Sequence, residues 1–222
     1  IEVRNTPRQS ILLRRDNEDF TLYHSKLHDS RDSQLLYIGD GNGEEYRTTR
    51  ALIENNWLFN GGGSAIEIRP TCSDIQVIDN VMYSLGNDVI VTTSTGGLDP
   101  NIFEGNAGWG GVDAGFNLSG GAVIRNNVIF NIQGYGIYGV HPGSETAGAM
   151  VISHNTIVNT TGAAAYLRGW DGIQGMVFAN NALTNPTGRA LDAEFGEGPF
   201  FAGNIATGLV EVDVEADVAA LG

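Results

Sequence analysis

The sequence predicts an all-β chain wound as a parallel β-helix of about nine coils with an asparagine ladder. Three observations carry this. The composition is one of turns and strands: 31 Gly and 20 Asn stand among abundant Val and Ile in 222 residues, with a single lysine, Lys26. Gly and Asn tolerate the positive φ that turns require. Long helix-forming runs of Ala, Leu, Glu and Lys are absent. Above all, one short block recurs: apolar residues at alternate positions, then Asn, then another apolar pair.

In chain order the block reads VRNT (3–6), FTLYHSKLHD (20–29), ALIENNWLFN (51–60), IQVIDNVMYS (75–84), NIFEGNAGWG (101–110), AVIRNNVIFN (122–131), MVISHNTIVN (150–159), MVFANNALTN (176–185) and PFFAGNIATG (199–208). Aligning Asn5, Ser25, Asn56, Asn80, Asn106, Asn127, Asn155, Asn181 and Asn204 gives steps of 20, 31, 24, 26, 21, 28, 26 and 23 residues. Leucine-rich and ankyrin repeats keep a stricter length; coils with loops at their corners tolerate this variation. Stacked coils lie about 4.8 Å apart. Equivalent Asn amides then bond one to the next, which satisfies polar groups inside the fold. The doubled Asn55-Asn56, Asn126-Asn127 and Asn180-Asn181 suit a tight corner with a left-handed residue.

A second strand follows each Asn. Its members are QSILLRRD (9–16), SQLLYIGD (33–40), SAIEIRPT (64–71), NDVIVTTS (87–94), DAGFNLSG (113–120), YGIYGVHP (135–142), AAAYLRGW (163–170) and GRALDAEF (188–195). Strand alternation sends Leu36/Ile38, Ile66/Ile68, Val89/Val91, Phe116/Leu118 and Leu191/Ala193 inward. Two outward columns follow: Leu12, Tyr37, Glu67, Ile90, Asn117, Tyr138, Tyr166, Asp192, and Arg14, Gly39, Arg69, Thr92, Ser119, Val140, Arg168, Glu194. Ile1 enters directly into a repeat, so the chain is expected to be one β-helix domain (1–222) cut or processed from a longer secreted chain. The closing run 210–217, VEVDVEAD, reads as an edge strand whose charges discourage end-to-end pairing.

Charge narrows the partners. The formal net charge is −14, from 12 Lys+Arg against 26 Asp+Glu. Nucleic-acid binders and polybasic membrane-surface proteins need the opposite sign. No apolar run approaches the ~20 residues of a membrane helix. The lone cysteine, Cys72, excludes an internal disulfide and a Cys-based zinc cluster.

The blocks YIGDGNGE, SAIEIRPTCSDIQVIDN, AGWGGVDAGFNLSGGAVIRNNVIFN and GYGIYGVHP resemble secreted right-handed parallel β-helix repeat proteins of the pectate-lyase-like superfamily. The resemblance spans nearly the whole chain. It implies a single-stranded right-handed helix, an extracellular or cell-surface location and a polysaccharide partner. It also implies a site on the outward face of one parallel sheet, flanked by corner loops. That superfamily holds lyases, hydrolases, epimerases and adhesion modules without activity, so fold alone leaves the chemistry open.

The outward columns carry residues suited to glycans. Tyr37, Tyr138, Tyr166 and Trp170 offer flat apolar surface, and Asn117, Asp192 and Glu194 offer polar contacts. β-Elimination on a uronate needs a cation on the sugar carboxylate and a base for the acidified proton. Arg69 and Arg168 are candidates for the first task. Tyr138, Tyr166, His141 or an arginine are candidates for the second, and Glu67 is a further catalytic candidate on the face. A polysaccharide lyase-like enzyme is therefore the leading expectation. A binding, adhesion or structural module is the alternative. Hydrolysis is the weaker expectation: Glu67 and Asp192 lie over ~20 Å apart along the stack. Asp192 with Glu194, about 7 Å apart, is the nearest outward pair. The −14 charge repels polyanions and favours a neutral glycan.

Calcium is the one cofactor the sequence suggests, through Asp40, Asn42 and Glu44 in an acidic glycine-spaced turn that is more simply an exposed loop. One of Trp57 and Phe59 is expected in the core, and Trp109 is expected to pack a corner. His154 precedes a ladder Asn and is expected at a corner. The chain is expected to be monomeric.

Overall fold

The computed structural model describes residues 1–40 and 47–214. Every strand pairing among the described residues is parallel, and each coil contributes to three faces. The first sheet follows the ladder residues: Glu2–Arg4, Lys26–Ser30, Trp57–Gly61, Val81–Leu85, Ala107–Trp109, Val128–Ile132 and Thr156–Thr160. The second holds Ile11–Leu13, Leu36–Ile38, Ile66–Ile68, Ile90–Thr92, Ala114–Leu118, Tyr135–Val140 and Ala165–Arg168. The long strand Ala182–Phe195 continues both, bending through register shifts between Thr184 and Leu191. Ser73–Ile78, Asn101–Glu104, Ala122–Arg125 and Met150–Ser153 lie at the centre of the third sheet.

The ladder is the corner between the third sheet and the first. Asn56, Asn80, Asn106, Asn127, Asn155 and Asn181 are at most 1% exposed. In each, the backbone N–H and the side-chain Nδ2 donate to the Oδ1 of the next Asn, at 2.9–3.1 Å, ending on Asn204. The second Nδ2 hydrogen reaches a backbone carbonyl of the preceding coil, as from Asn80 to Ile53 at 2.8 Å. The residue before each ladder position takes positive φ, from His24 through Asn55, Asp79, Asn126, His154 and Asn180. His154 therefore sits at the corner, and each doubled Asn supplies its turn.

Asn5 corrects the alignment. Glu2 pairs with Lys26, so Ile1, not Asn5, stands opposite Ser25, and its N-terminal ammonium donates to Ser25 Oγ at 3.2 Å. Asn5 instead turns the opposite corner at φ 56, as Asp29, Asn60, Asn131 and Asn159 do.

Four inward columns stand out in the core: Leu27-Leu58-Met82-Gly108-Ile129-Ile157-Leu183, Leu36-Ile66-Ile90-Phe116-Ile137-Ala165-Leu191, Ile38-Ile68-Thr92-Leu118-Gly139-Leu167-Ala193, and Ile53-Val77-Phe103-Ile124-Ile152-Phe178. All of these apolar side chains are buried. Each large one removed from water stabilises the stack by roughly 1.5–3 kcal/mol.

Candidate functional site

The outward face of the second sheet holds the predicted columns, with one coil out of phase. Register places Leu12, Tyr37, Glu67, Val91, Asn117, Tyr138, Tyr166 and Asp192 side by side. Ile90 and Thr92 point inward, opposite Phe116 and Leu118, so Val91 and Thr93 take their outward places. The rest of the second column stands as expected, from Arg14 through Arg69 to Arg168 and Glu194.

The polar residues gather in two groups. In the first, Glu67 accepts hydrogen bonds from Arg69 Nη1 at 2.9 Å and from Gln34. Gly39 sits directly beneath Arg69: at φ 99, a side chain there would meet Arg69 Cβ at 2.9 Å and Cys72 Sγ at 2.8 Å. Arg14 Nε donates to Asp40 at 3.0 Å. Beside that pair a cleft of about 240 Å³ is lined by Arg8, Gln9, Leu12, Arg14, Tyr37, Gly39 and Asp40. Burial raises the Tyr37 phenol pKa above its ordinary value, with Glu67 and Asp40 adding to it against the Arg69 charge. That makes Tyr37 a surface for contact rather than a base.

In the second group, Tyr138 and Tyr166 stack at 5.3 Å and 3°, and Tyr135 leans on both. Arg168 lies over the Tyr166 ring at 4.3 Å and bonds Asp192, with Glu194 at 3.5 Å. Arg189 clamps the other Asp192 oxygen at 2.7 Å and reaches Glu211 at 2.8 Å. Asp192 and Glu194, the pair expected to lie nearest on this face, thus share one guanidinium.

Between the groups the floor is small: Val91, Thr93, Asn117 and Ser119. Segments 94–100 and 141–149 meet along one side, where Ser94 Oγ donates to Thr146 O at 3.4 Å. Four strand steps separate Arg69 from Arg168, ~19 Å along the stack. The five candidates for elimination chemistry therefore do not converge on one sugar.

Two of the predicted residues are not on the face at all. His141 is 3% exposed; its Nδ1 accepts from Gly143 N–H at 3.2 Å and its Nε2 donates to Gly148 O at 3.2 Å. Burial depresses its pKa, and the neutral ring fastens the 141–149 segment. Trp170 is fully buried, with Nε1 donating to Gly139 O at 3.0 Å. The chain turns at Gly169 (φ 69), which carries the indole under the sheet. For calcium, Asp40 is held by Arg14, while Asn42 and Glu44 lie outside the described residues.

Two features escaped the sequence reading. Asp88 is 2% exposed at the lip of the floor, where Ala114 N–H donates to it at 3.0 Å. Burial and the neighbouring Asp113 push its pKa up to about 6, against the hydrogen bonds from Ala114 and the Asn117 side chain. The second feature is an aromatic ribbon on the first sheet. His28, Phe59, Tyr83, Trp109 and Phe130 stack in sequence at 4.6, 5.0, 4.7 and 5.1 Å. Leu58 takes the inward slot, so both Trp57 and Phe59 point out, and Trp109 lies on a strand, not in a corner. The signal was present: each ribbon residue stands three places after its ladder residue.

With the fold in place, comparison adds its family. The family model for a right-handed β-helix region matches residues 9–205. The chain belongs to the right-handed β-helix family. Among solved structures, it is similar to the Streptococcus pneumoniae surface protein and adhesin PfbA, at 11% identity and a TM-score of 0.52, over 96% of this chain and 67% of that one. The Agl-KA catalytic domain gives 14% identity and a TM-score of 0.45, over 91% and 45% of the two chains. The receptor-binding domain of the siphovirus 9NA tailspike gives 12% and 0.33, over 95% and 52%. The β-helix thus spans about half to two thirds of those chains, and the likeness is one of fold. No curated protein sequence matches it.

Proposed function

We propose that this β-helix binds an extracellular polysaccharide laid along the outward face of its second sheet, as a monomeric binding or adhesion module at the cell surface. The supporting observation is the in-register column from Leu12 to Asp192, one side chain per coil over eight coils. At the normal strand spacing that is a track of ~34 Å. A polymer laid along it meets one outward side chain from every coil. The same face argues for binding over elimination, because its arginines are engaged by carboxylates and His141 is spent on the loop. An adhesin shares this fold, which is compatible with a non-catalytic role.

Affinity electrophoresis in gels cast with soluble glycans tests the proposal. Retardation of the native chain, reduced in Tyr166→Ala, is expected. Incubation with pectin or alginate followed in the ultraviolet tests for unsaturated uronates. Their release would replace the binding role with the lyase role.

A further inference from the structure

Building on that glycan-binding role, we infer that the ligand is an uncharged polysaccharide, recognised through its hydroxyls by the arginine–carboxylate pairs of the second sheet. The four arginines of this face are Arg14, Arg69, Arg168 and Arg189, and all of them are bonded to acids: Asp40, Glu67, Asp192 with Glu194, and Asp192 with Glu211. Five carboxylates therefore answer four guanidiniums, and Asp88 and Asp113 stand at the edge. Arg8 lies off the columns, in the cleft at the first coil.

A uronate carboxylate could pair fully with one of these arginines only by displacing the acid already there, because at any N–H left over that acid repels it. Those acids are poorly placed to be released. The side chains of Asp192, Asp40 and Glu67 are 5%, 10% and 13% exposed. Removing the partner of such a group leaves a desolvated, uncompensated charge, the outcome that makes broken buried pairs so unfavourable. The whole chain adds repulsion at −14. A neutral sugar meets neither obstacle. One hydroxyl donates to a free carboxylate lone pair and its neighbour accepts from a free guanidinium N–H, so the ion pair stays intact. Tyr138 and Tyr166 add apolar contact without charge.

The test sets neutral glycans (galactomannan and hydroxyethyl cellulose) against polygalacturonate and alginate in native affinity gels. The wild-type chain should be retarded by a neutral glycan and not by either uronate. That retardation should survive a ~tenfold rise in salt, which screens ion pairing. Glu194→Gln, an exposed change, and Asp192→Asn should each free guanidinium capacity and raise retardation by polygalacturonate at least ~threefold. Glu194→Gln carries the test if Asp192→Asn does not fold. Uronate retardation of the wild type as strong as that by any neutral glycan overturns this inference and leaves the glycan role standing. So does failure of Glu194→Gln to shift preference. No retardation by any glycan defeats the glycan role itself, and this inference with it.

Discussion

The outward face of the first sheet repeats one kind of side chain coil after coil, whereas the outward face of the second changes it at nearly every step. On the first, the rings of His28, Phe59, Tyr83, Trp109 and Phe130 stack nearly parallel, each within 16° of the next. Each ring covers the face of the next, so the ribbon offers mainly edges outward. On the second, Tyr37, Glu67, Val91, Asn117 and Tyr138 succeed one another; Glu67 bonds sideways to Arg69 and Gln34, and Asn117 to Asp88. Repetition lets neighbours satisfy each other and serves stability. Alternation leaves donors, acceptors and ring surface for a ligand.

The ladder is the extreme of repetition and should give the largest effect. Asn127→Ala removes an amide that donates to Asn155 Oδ1, Phe103 O and Arg125 O and accepts twice from Asn106. Several buried groups lose their partners together, so stability should fall by about 3–6 kcal/mol. Urea denaturation reads this directly. A loss below that of an ordinary surface mutation would show the ladder to be a consequence of the coil and not a cause. Next comes the ribbon. Trp109→Ala opens a gap between Tyr83 and Phe130 and should cost about 2–3 kcal/mol while leaving glycan retardation unchanged. Loss of binding without loss of stability would reverse the roles assigned to the two faces.

How far the sequence revealed these features depends on how strongly local chemistry fixes phase. Asn56 through Asn204 could be read because an amide at a fixed corner is costly to replace. Seven of eight outward positions followed from alternating polar and apolar residues, as in Ile66-Glu67-Ile68. The phase slipped at Val89-Ile90-Val91, where inward and outward residues are alike and nothing marks the period. His141 and Trp170 failed for another reason. Strand alternation ends at the corner, and beyond it tertiary packing decides direction. Asn5 was misaligned because both corners use left-handed Asn, so the residue type does not tell them apart. Asp88 looked like an ordinary turn acid; the groups that act on it besides burial, Asp113, Ala114 and Asn117, come from the next coil.

Asp88 supplies the next test, through pH. Its pKa is raised to about 6 in the fold, so the native state holds a proton that the unfolded chain releases at lower pH. The sign follows: its favourable contribution is complete below the unfolded value and is lost as pH rises through about 6. Asp88→Asn keeps an acceptor for Ala114 N–H and removes the ionisation. The variant should match the wild type near pH 4 and exceed it by about 1–3 kcal/mol at pH 7. Denaturation midpoints of both proteins across this range give the difference, in which the opposing trends of paired acids such as Glu104 cancel. A wild type that gains on the variant as pH rises would mean that Asp88 is ionised and serves the floor as a carboxylate.

The smallest change in stability is expected where binding matters most. Tyr166→Ala unstacks Tyr138 and uncovers Arg168, but the ring is only partly buried and Asp192 still holds the guanidinium. Stability should fall by about 1 kcal/mol, whereas glycan affinity should fall ~tenfold or more. Trp109→Ala and Tyr166→Ala together then form a crossed pair, each strong in the assay where the other is weak. Parallel losses in both assays would erase the distinction between the two faces, because the ribbon and the track would then act as one packed surface.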